Sequence, residues 1–253
     1  MNKEKKPRSI EVKERVKLKI GGKEYEFESN TPTTAFYTDL YDEITAGYDA
    51  TEVFPLDKIQ VIDSVGSVGA EITSANWTLD KTQTSITING SAIWNSDNPP
   101  AKLKILDTRG VAYFEISLPA GVSAQRGLPI TVVWDAVFNI AVSSATGYLA
   151  GSTVVASRFL SILVDILANN RNNRSLAIRS VEYQYTDGTK FRANIIGEKG
   201  QHYLRLQPTQ MPKAGSINIV MLYTSSDDFI SFILSSPLNV NAGDYVSLDI
   251  YFV

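Results

Sequence analysis

The sequence predicts a mostly β protein with two tandem β-sandwich or jelly-roll-like units, each preceded by one short α-helix. Three observations support this fold class. Short segments alternate between apolar and polar residues with the period of two that half-buried strands show. Turns containing Gly, Pro, Asn or Asp separate these segments at the spacing of sandwich and barrel proteins. The pattern of the first part of the chain recurs in the second part at an offset of 116 residues.

The repeat is clearest at the last strand of each unit. Gly127 aligns with Gly243, and the alternating apolar residues that follow align as well: Ile130, Val132 and Trp134 with Val246, Leu248 and Ile250. Upstream the offset changes, with these alignments: Ile86 and Ile88 with Leu204 and Leu206, and Ile62 with Val181. Period-two patterning alone makes all half-buried strands similar, which is the alternative explanation. Because helix, loop and terminal strand recur in one order, the pattern favours a duplication.

Three segments follow from this repeat. Residues 1–33 are predicted to form a basic arm and a β-hairpin that turns at Gly21-Gly22. Residues 34–142 form the first unit, which begins with a helix at Thr34–Ile44. Residues 143–253 form the second unit, which begins with a helix at Ser157–Ala168. Phe36 in the first helix aligns with Phe159 in the second.

The segment Tyr245–Val253 alternates strictly between polar and apolar residues. A chain can end in a strand without fraying if that strand is paired on both sides. We therefore expect the last strand to be central in its sheet.

Composition excludes several classes of function. The chain carries 24 Lys and Arg against 27 Asp and Glu, a net charge of −3, so no overall basic field attracts nucleic acid. Cysteine is absent, which excludes disulfides, thiolate zinc sites and cysteine nucleophiles. Composition therefore argues against nucleic-acid binding, for which the basic arm is the sole support.

The sequence predicts no membrane span and no signal peptide. The N-terminal segment is charged but lacks an apolar core of the kind that secretion requires. The most apolar run, Ser152–Ala168, contains Arg158 and Asp165 and is shorter than the ~20 residues that cross a bilayer. We expect synthesis in the cytoplasm of the cell that makes the protein.

No set of residues predicts catalysis. The single histidine, His202, lies on a predicted strand, and no GxSxG motif is present. The adjacent carboxylates Asp227 and Asp228 diverge on a strand or turn, and Asp42 and Glu43 diverge on a helix. Both pairs are expected to be solvated, so the sequence predicts no catalytic residue.

No metal or cofactor site is predicted either. The oxygen-rich loops at residues 95–100 and 224–228 would suit calcium but lack a DxDxDG framework, so turns are expected there. No GxxxxGK or GxGxxG motif suggests a nucleotide cofactor. Trp77, Trp94 and Trp134 would suit either the floor of a sugar site or the core, and the sequence leaves both open.

The second unit resembles small structural proteins of virions. The features that carry the resemblance are Ser236, Pro237, Val240, Gly243, Asp244 and the alternating strand that follows. This pattern is similar to the strand that closes the β-sandwich of virion proteins in tailed phages and related viruses. The first unit departs from it, with Leu128 in place of the aspartate and Pro129 next. The resemblance implies a capsid or tail component without catalysis.

The leading hypothesis is therefore a non-enzymatic virion protein, whose partners are other copies of itself and other virion proteins. It implies no small-molecule substrate and a location in the virion. A carbohydrate-binding or adhesin module is the alternative. A glycosidase-like enzyme would need two carboxylates that face one groove. The basic arm supplies candidate residues for assembly contacts, namely Lys3, Lys5, Lys6 and Arg8.

Overall fold

A computed structural model describes residues 10–29, 32–46, 51–140, 153–195 and 203–251; the side chains of 203–207 and 247–251 are not described. Antiparallel strands dominate these residues, and two helices accompany them. The predicted mostly β class is confirmed.

The strands and the helix of residues 10–140 have these bounds: β1 Ile10–Ile20, β2 Lys23–Ser29, α1 Thr34–Thr45, β3 Leu56–Asp63, β4 Val68–Thr73, β5 Trp77–Lys81, β6 Ser85–Ile93, β7 Pro100–Asp107, β8 Ala112–Ser117 and β9 Pro129–Ile140. Those of residues 153–251 are: β10 Thr153–Val155, α2 Ser157–Leu167, β11 Ile178–Tyr185, β12 Lys190–Asn194, β13 Tyr203–Gln210, β14 Gly215–Thr224, β15 Phe229–Val240 and β16 Tyr245–Tyr251. We call β3–β9 the first strand set and β11–β16 the second strand set.

The described strands form four sheets. Their orders are β2-β1-β9-β6-β5, β4-β3-β7-β8, β10-β15-β14-β11-β12 and β13-β16. Among the described residues, every pairing between these strands is antiparallel.

The predicted N-terminal hairpin is confirmed. Gly21 and Gly22 both have positive φ, 55° and 82°, which a two-residue turn of the type I′ class requires. β1 pairs with β2 on one side and along its whole length with β9 on the other, from Ile10 opposite Ile140 to Ile20 opposite Ile130. Alternate residues of β1 are buried, so the hairpin contributes one apolar face to the core.

The two sheets of the first strand set contact each other through large apolar side chains. The rings of Phe114 and Trp134, one from each sheet, have centroids 4.9 Å apart. Gly69 leaves room for the buried Trp94 ring, because a Cβ there would lie 2.1 Å from it. The core between these sheets therefore depends on close packing of aromatic side chains.

Helix α1 begins at a cap predicted by the Thr- and Pro-containing segment before it. Thr33 Oγ accepts the N–H of Phe36 at 3.3 Å. Phe36 then packs on Tyr113 and Phe114 of β8, with ring centroids 5.4 and 5.2 Å away. Helix α2 buries the stripe that its sequence predicts, which includes Phe159, and contacts β15.

The two strand sets share a strand order. The sheet β4-β3-β7-β8 corresponds strand for strand to β12-β11-β14-β15, and the pair β6-β9 corresponds to β13-β16. At the free edge of β8, Pro32 forms an isolated β-bridge with Phe114, and Pro32 lies just before α1. At the corresponding edge of β15, the short strand β10 pairs with β15, and β10 lies just before α2. Apart from β5, which has no counterpart among the described strands, the strands of the two sets thus follow the same order.

The turns of corresponding hairpins make the same hydrogen bonds. Two turns, one starting at Asp63 and one at Tyr185, have the same pair of backbone hydrogen bonds. In each, the N–H of the first residue donates to the carbonyl of the fifth, and the N–H of the fourth residue donates to the carbonyl of the first. The fourth residue is Gly66 or Gly188, with φ of 90° and 84°. The turns that start at Asp107 and Thr224 repeat both bonds, again with positive φ at the fourth residue.

The aligned glycines before the last strands also have matching surroundings. Gly127 N–H donates to Trp94 O at 2.8 Å, and Gly243 N–H donates to Met211 O at 2.9 Å. Their φ angles are 86° and 90°. Trp94 and Met211 are both buried, so the correspondence extends to the core.

The pairing registers correct one predicted alignment. Ile59 stands opposite Ile105, and Val181 stands opposite Leu222 at the corresponding place. Val181 therefore corresponds to Ile59, three residues before the predicted Ile62. The error arose because loop lengths change the offset and alternation alone does not locate the change.

A second alignment is shifted by two residues. Ile88 stands opposite Trp134, and Leu204 stands opposite Ile250. Leu204 therefore corresponds to Ile88 and not to Ile86. A shift of two keeps every residue on the same face, so the hydrophobic pattern did not detect it.

The expectation of a central last strand is wrong for the described part of the chain. There, β16 pairs with β13 only, in a two-stranded sheet. Its counterpart β9 is central, because β1 and β6 flank it. Local alternation reports a buried face but not the number of neighbouring strands.

Among the described residues, neither helix is long and apolar enough to cross a membrane.

Candidate functional site

The predicted assembly contacts lie outside the described residues. This holds for Lys3, Lys5, Lys6 and Arg8, and also for His202. The remaining predicted positions are described, and their contacts decide which of them have side-chain atoms available for function.

Glu43 of α1 was expected at a solvated helix surface, and this is wrong. Its side chain is fully buried and binds Arg171, with Oε1–Nη1 and Oε2–Nη2 distances of 2.9 and 3.0 Å. Its oxygens also accept the N–H groups of Glu52, Val53 and Leu176. The carboxylate therefore ties the loop after α1 to the loop after α2.

The sequence held a signal for the burial of Glu43. It lies three residues after Leu40 and beside Ile44, on the apolar stripe of α1. Its partner Arg171 is 128 residues away in sequence, which no local pattern reveals. All of its contacts hold loops together, and a buried carboxylate satisfied in this way is a structural anchor.

A second polar cluster surrounds Arg109 in the β7–β8 turn. Its guanidinium binds Asp39 and Asp107, and it stacks 3.9 Å from the ring centroid of Phe54. Tyr113 donates to Asp39 Oδ2 at 2.7 Å. Burial first, and then this hydrogen bond, raise the pKa of Tyr113, so its hydroxyl stays protonated as a donor.

The oxygen-rich loops are turns, as the sequence predicts. Ser96 Oγ and Asn98 Nδ2 both donate to Asp63 Oδ2, at 2.6 and 3.4 Å. In the other loop, Asp227 binds Arg192 and Asp228 binds Arg174. Within the described residues, no group of three or more acidic or histidine side chains could hold a metal ion.

The core reading holds for two of the three tryptophans. Trp94 and Trp134 are fully buried, and Trp134 Nε1 donates to the buried Glu14 at 2.8 Å. Trp77 is half-buried and packs on the core. Two of the three indoles are therefore core residues and are closed to a sugar.

The exposed apolar residues give a clearer candidate. Val65, Val68, Ile93 and Leu128 are 69%, 50%, 48% and 37% exposed. All four lie at one end of the first strand set, where Gly69 O accepts Asn95 N–H and Leu128 O accepts Trp94 N–H. We call these four residues the apolar tip.

The corresponding positions of the second strand set are polar. The matched turns and hydrogen bonds assign a counterpart to each residue of the apolar tip. The pairs are Val65 with Asp187, Val68 with Lys190, Ile93 with Gln210 and Leu128 with Asp244. All four counterparts are exposed. The same backbone therefore accepts polar side chains at these places, and the fold does not require apolar ones.

The polar end of the second strand set carries salt bridges. Lys213 binds Asp187, and this contact holds the pKa of Asp187 near 2. Glu182 binds Lys190 and raises the pKa of that lysine. Both groups are charged at neutral pH, whereas the four side chains of the apolar tip carry no charge.

No protein-family model, curated protein or solved structure matches the chain.

Proposed function

We propose that the chain is a non-enzymatic structural protein of a viral particle, a capsid or tail component. It would self-assemble or bind neighbouring virion proteins. The observation that carries this proposal is the apolar tip, which exposes four large aliphatic side chains where the second strand set has polar ones. Exposed apolar groups without a structural role are typical of surfaces that bind other proteins.

We further infer that the two strand sets are tandem β-sandwich units that arose by duplication. The shared strand order and the matched turn hydrogen bonds support this inference. In a duplicated chain, a difference between equivalent positions that the fold does not constrain is where separate functions can arise. The contrast between Val65 and Asp187, and between Leu128 and Asp244, is of this kind.

The buried polar groups also support a structural role. Glu43, Asp63 and Asp107 are buried, and each accepts several hydrogen bonds that hold a loop or turn. A catalytic carboxylate needs an oxygen available to substrate. The proposal accordingly includes no substrate and no cofactor, with synthesis in the cytoplasm of the host and residence in the virion.

The alternative is a carbohydrate-binding or adhesin module. It is weakened because Trp94 and Trp134 lie in the core, which leaves only the half-buried Trp77 among the tryptophans. A glycan array distinguishes the two functions. Binding that is lost in a Trp77→Ala variant would favour the carbohydrate module.

Electron microscopy of the purified full-length chain tests the proposal. We expect regular oligomers or particles whose abundance rises with protein concentration. The Leu128→Asp variant copies the residue of the second strand set and should form fewer of them. A chain that stays monomeric at every concentration would count against a self-assembling virion protein.

A further inference from the structure

The two corresponding strands β9 and β16 differ in their neighbours. β9 lies between β6 and β1, and the eleven residues of β1 pair with it from Ile10 to Ile20. β16 pairs with β13, and no other described strand lies beside it. The described residues include one such hairpin for two corresponding edges, so within them the edge of β16 is open.

The backbone of β16 has donors and acceptors on this open side. Asp244 O accepts the N–H of Met211 on the β13 side. In a regular antiparallel strand alternate residues point their N–H and C=O groups the same way. The backbone N–H and C=O groups of Leu248 therefore point to β13. Those of Ser247 and Asp249 point to the open edge.

The open edge carries little charge. The edge strands β2, β5 and β12 have four charged residues among seven, two among five and two among five, whereas the edge strands β4 and β8, like β16, have only one each. β16 has one charged residue among seven, Asp249. Charged edge strands resist pairing with another chain, and an edge with little charge is suited to it.

We propose that β16 pairs antiparallel with β16 of a second copy, about a two-fold axis through Leu248. Ser247 of one chain then stands opposite Asp249 of the other, Val246 opposite Ile250, and Tyr245 opposite Tyr251. In this register apolar positions stand opposite apolar positions, and position 249 does not stand opposite itself. A two-fold interface uses the same edge on both copies and closes the pair.

This inference gives a specific interface to the proposed assembly function, and its biological role rests on that function. The pairing joins two two-stranded sheets into one of four strands. The apolar tip lies on the first strand set, and we expect it to make a different contact. A chain with two separate interfaces can build an assembly larger than a dimer.

Disulfide cross-linking tests the proposed register, because the natural chain has no cysteine. In the double variant Ser247→Cys/Asp249→Cys, each new cysteine stands opposite its partner across the axis. Opposed residues in a hydrogen-bonded antiparallel pair have Cα atoms about 5.5 Å apart, which suits a disulfide. Mild oxidation should convert most of the protein to a covalent dimer, with peptide mapping linking position 247 to position 249.

The matched control is Lys190→Cys/Arg192→Cys on β12, which places two cysteines on an edge protected by charge. It should give little covalent dimer at the same oxidant concentration. A 247/249 variant that stays monomeric, reduced or internally bridged, would overturn the inference. Dimers linked only between identical positions, or equal dimer formation in the control, would also overturn it.

Hydrogen exchange of the unmodified chain gives a second test without substitution. The amides of Ser247 and Asp249 should exchange at least tenfold more slowly at high protein concentration than after dilution to monomer. Exchange that is independent of concentration would overturn the inference. Large particles in the microscope without the 247–249 link contradict this interface only. A linked dimer that never grows supports the interface and contradicts the larger assembly function.

Discussion

At the residue scale, Glu43 is the group on which the arrangement of two loops depends most. It is fully buried, and it accepts hydrogen bonds from Arg171 and from the backbone of both loops. Removing one partner of a buried ion pair leaves the other charge without compensation. Replacing Glu43 should therefore lower the free energy of unfolding by a large amount.

We expect Glu43→Ala to lower the free energy of unfolding by about 3–5 kcal/mol, because Arg171 loses its partner. The control is Glu71→Ala, which removes an exposed pair with Lys58 and should cost at most about 1 kcal/mol. Denaturant unfolding followed by tryptophan fluorescence measures both. Equal losses in the two variants would show that Glu43 is not an anchor.

The lowered pKa of the Asp63 carboxyl should make the stability of the fold depend on pH. The hydrogen bond from Ser96, followed by those from the Ser67 and Val65 amides, holds the pKa of Asp63 below its usual range. The folded chain therefore binds this proton at lower pH than the unfolded chain. The stabilisation is complete above the ordinary aspartate pKa of about 4 and is lost as pH falls through the lower folded value.

We expect the melting temperature of Asp63→Asn to fall less between pH 6 and pH 3 than that of the natural chain, because the variant has no carboxylate to protonate at position 63. Ser96→Ala should have a smaller effect in the same direction, since it removes one donor. Thermal melts at several pH values measure both. An Asp63→Asn chain as acid-sensitive as the natural one would contradict this account.

At the element scale, the hairpin β1–β2 extends the sheet that β9, β6 and β5 form in the first strand set. Val16 of β1 is fully buried and stands opposite Trp134, whereas the next residue, Lys17, faces outward and pairs with Glu26. The alternation of one strand thus separates core from surface.

Val16→Asp should cost several kcal/mol or prevent folding, because it buries a charge without a partner. Lys17→Asp introduces the same residue one position away and should change stability much less. Soluble yield and denaturant unfolding measure the difference. If both variants fold equally well, the hairpin does not pack as described.

The sequence was sufficient for elements whose patterns are local. It predicted both helices, the hairpin and most strands, because each has a periodic apolar face. It missed β5, which has no fully buried residue, and the three-residue strand β10. It also took β16 as central, because the number of neighbouring strands depends on residues far away in sequence.

The candidate site shows the same limit. The apolar tip comes from three separate segments, and its meaning depends on comparison with the corresponding polar positions. That comparison needed the turn hydrogen bonds, since the sequence offset had been misplaced at Ile62. The partner of Glu43 was hidden for the same reason, because it lies 128 positions further along the chain.

At the scale of the whole molecule, the two strand sets differ most where they present their ends to solvent. The four positions of the apolar tip carry aliphatic side chains, whereas the four corresponding positions are polar and two of them form salt bridges. The same end of the first strand set also carries the exposed pair Arg126–Asp97. Since corresponding backbones accept both kinds of side chain, we propose that the difference reflects contacts with other chains. The most direct check replaces the residues of one end with those of the other.

That check is the particle mass of the variant Val65→Asp/Val68→Lys/Ile93→Gln/Leu128→Asp, measured by mass photometry beside the natural chain. Each substitution copies the corresponding residue of the second strand set, so the melting temperature should change little. The account predicts that the natural chain forms assemblies larger than a dimer and that the folded variant does not. Equal assembly by both chains, or a natural chain that never exceeds a dimer, would contradict it.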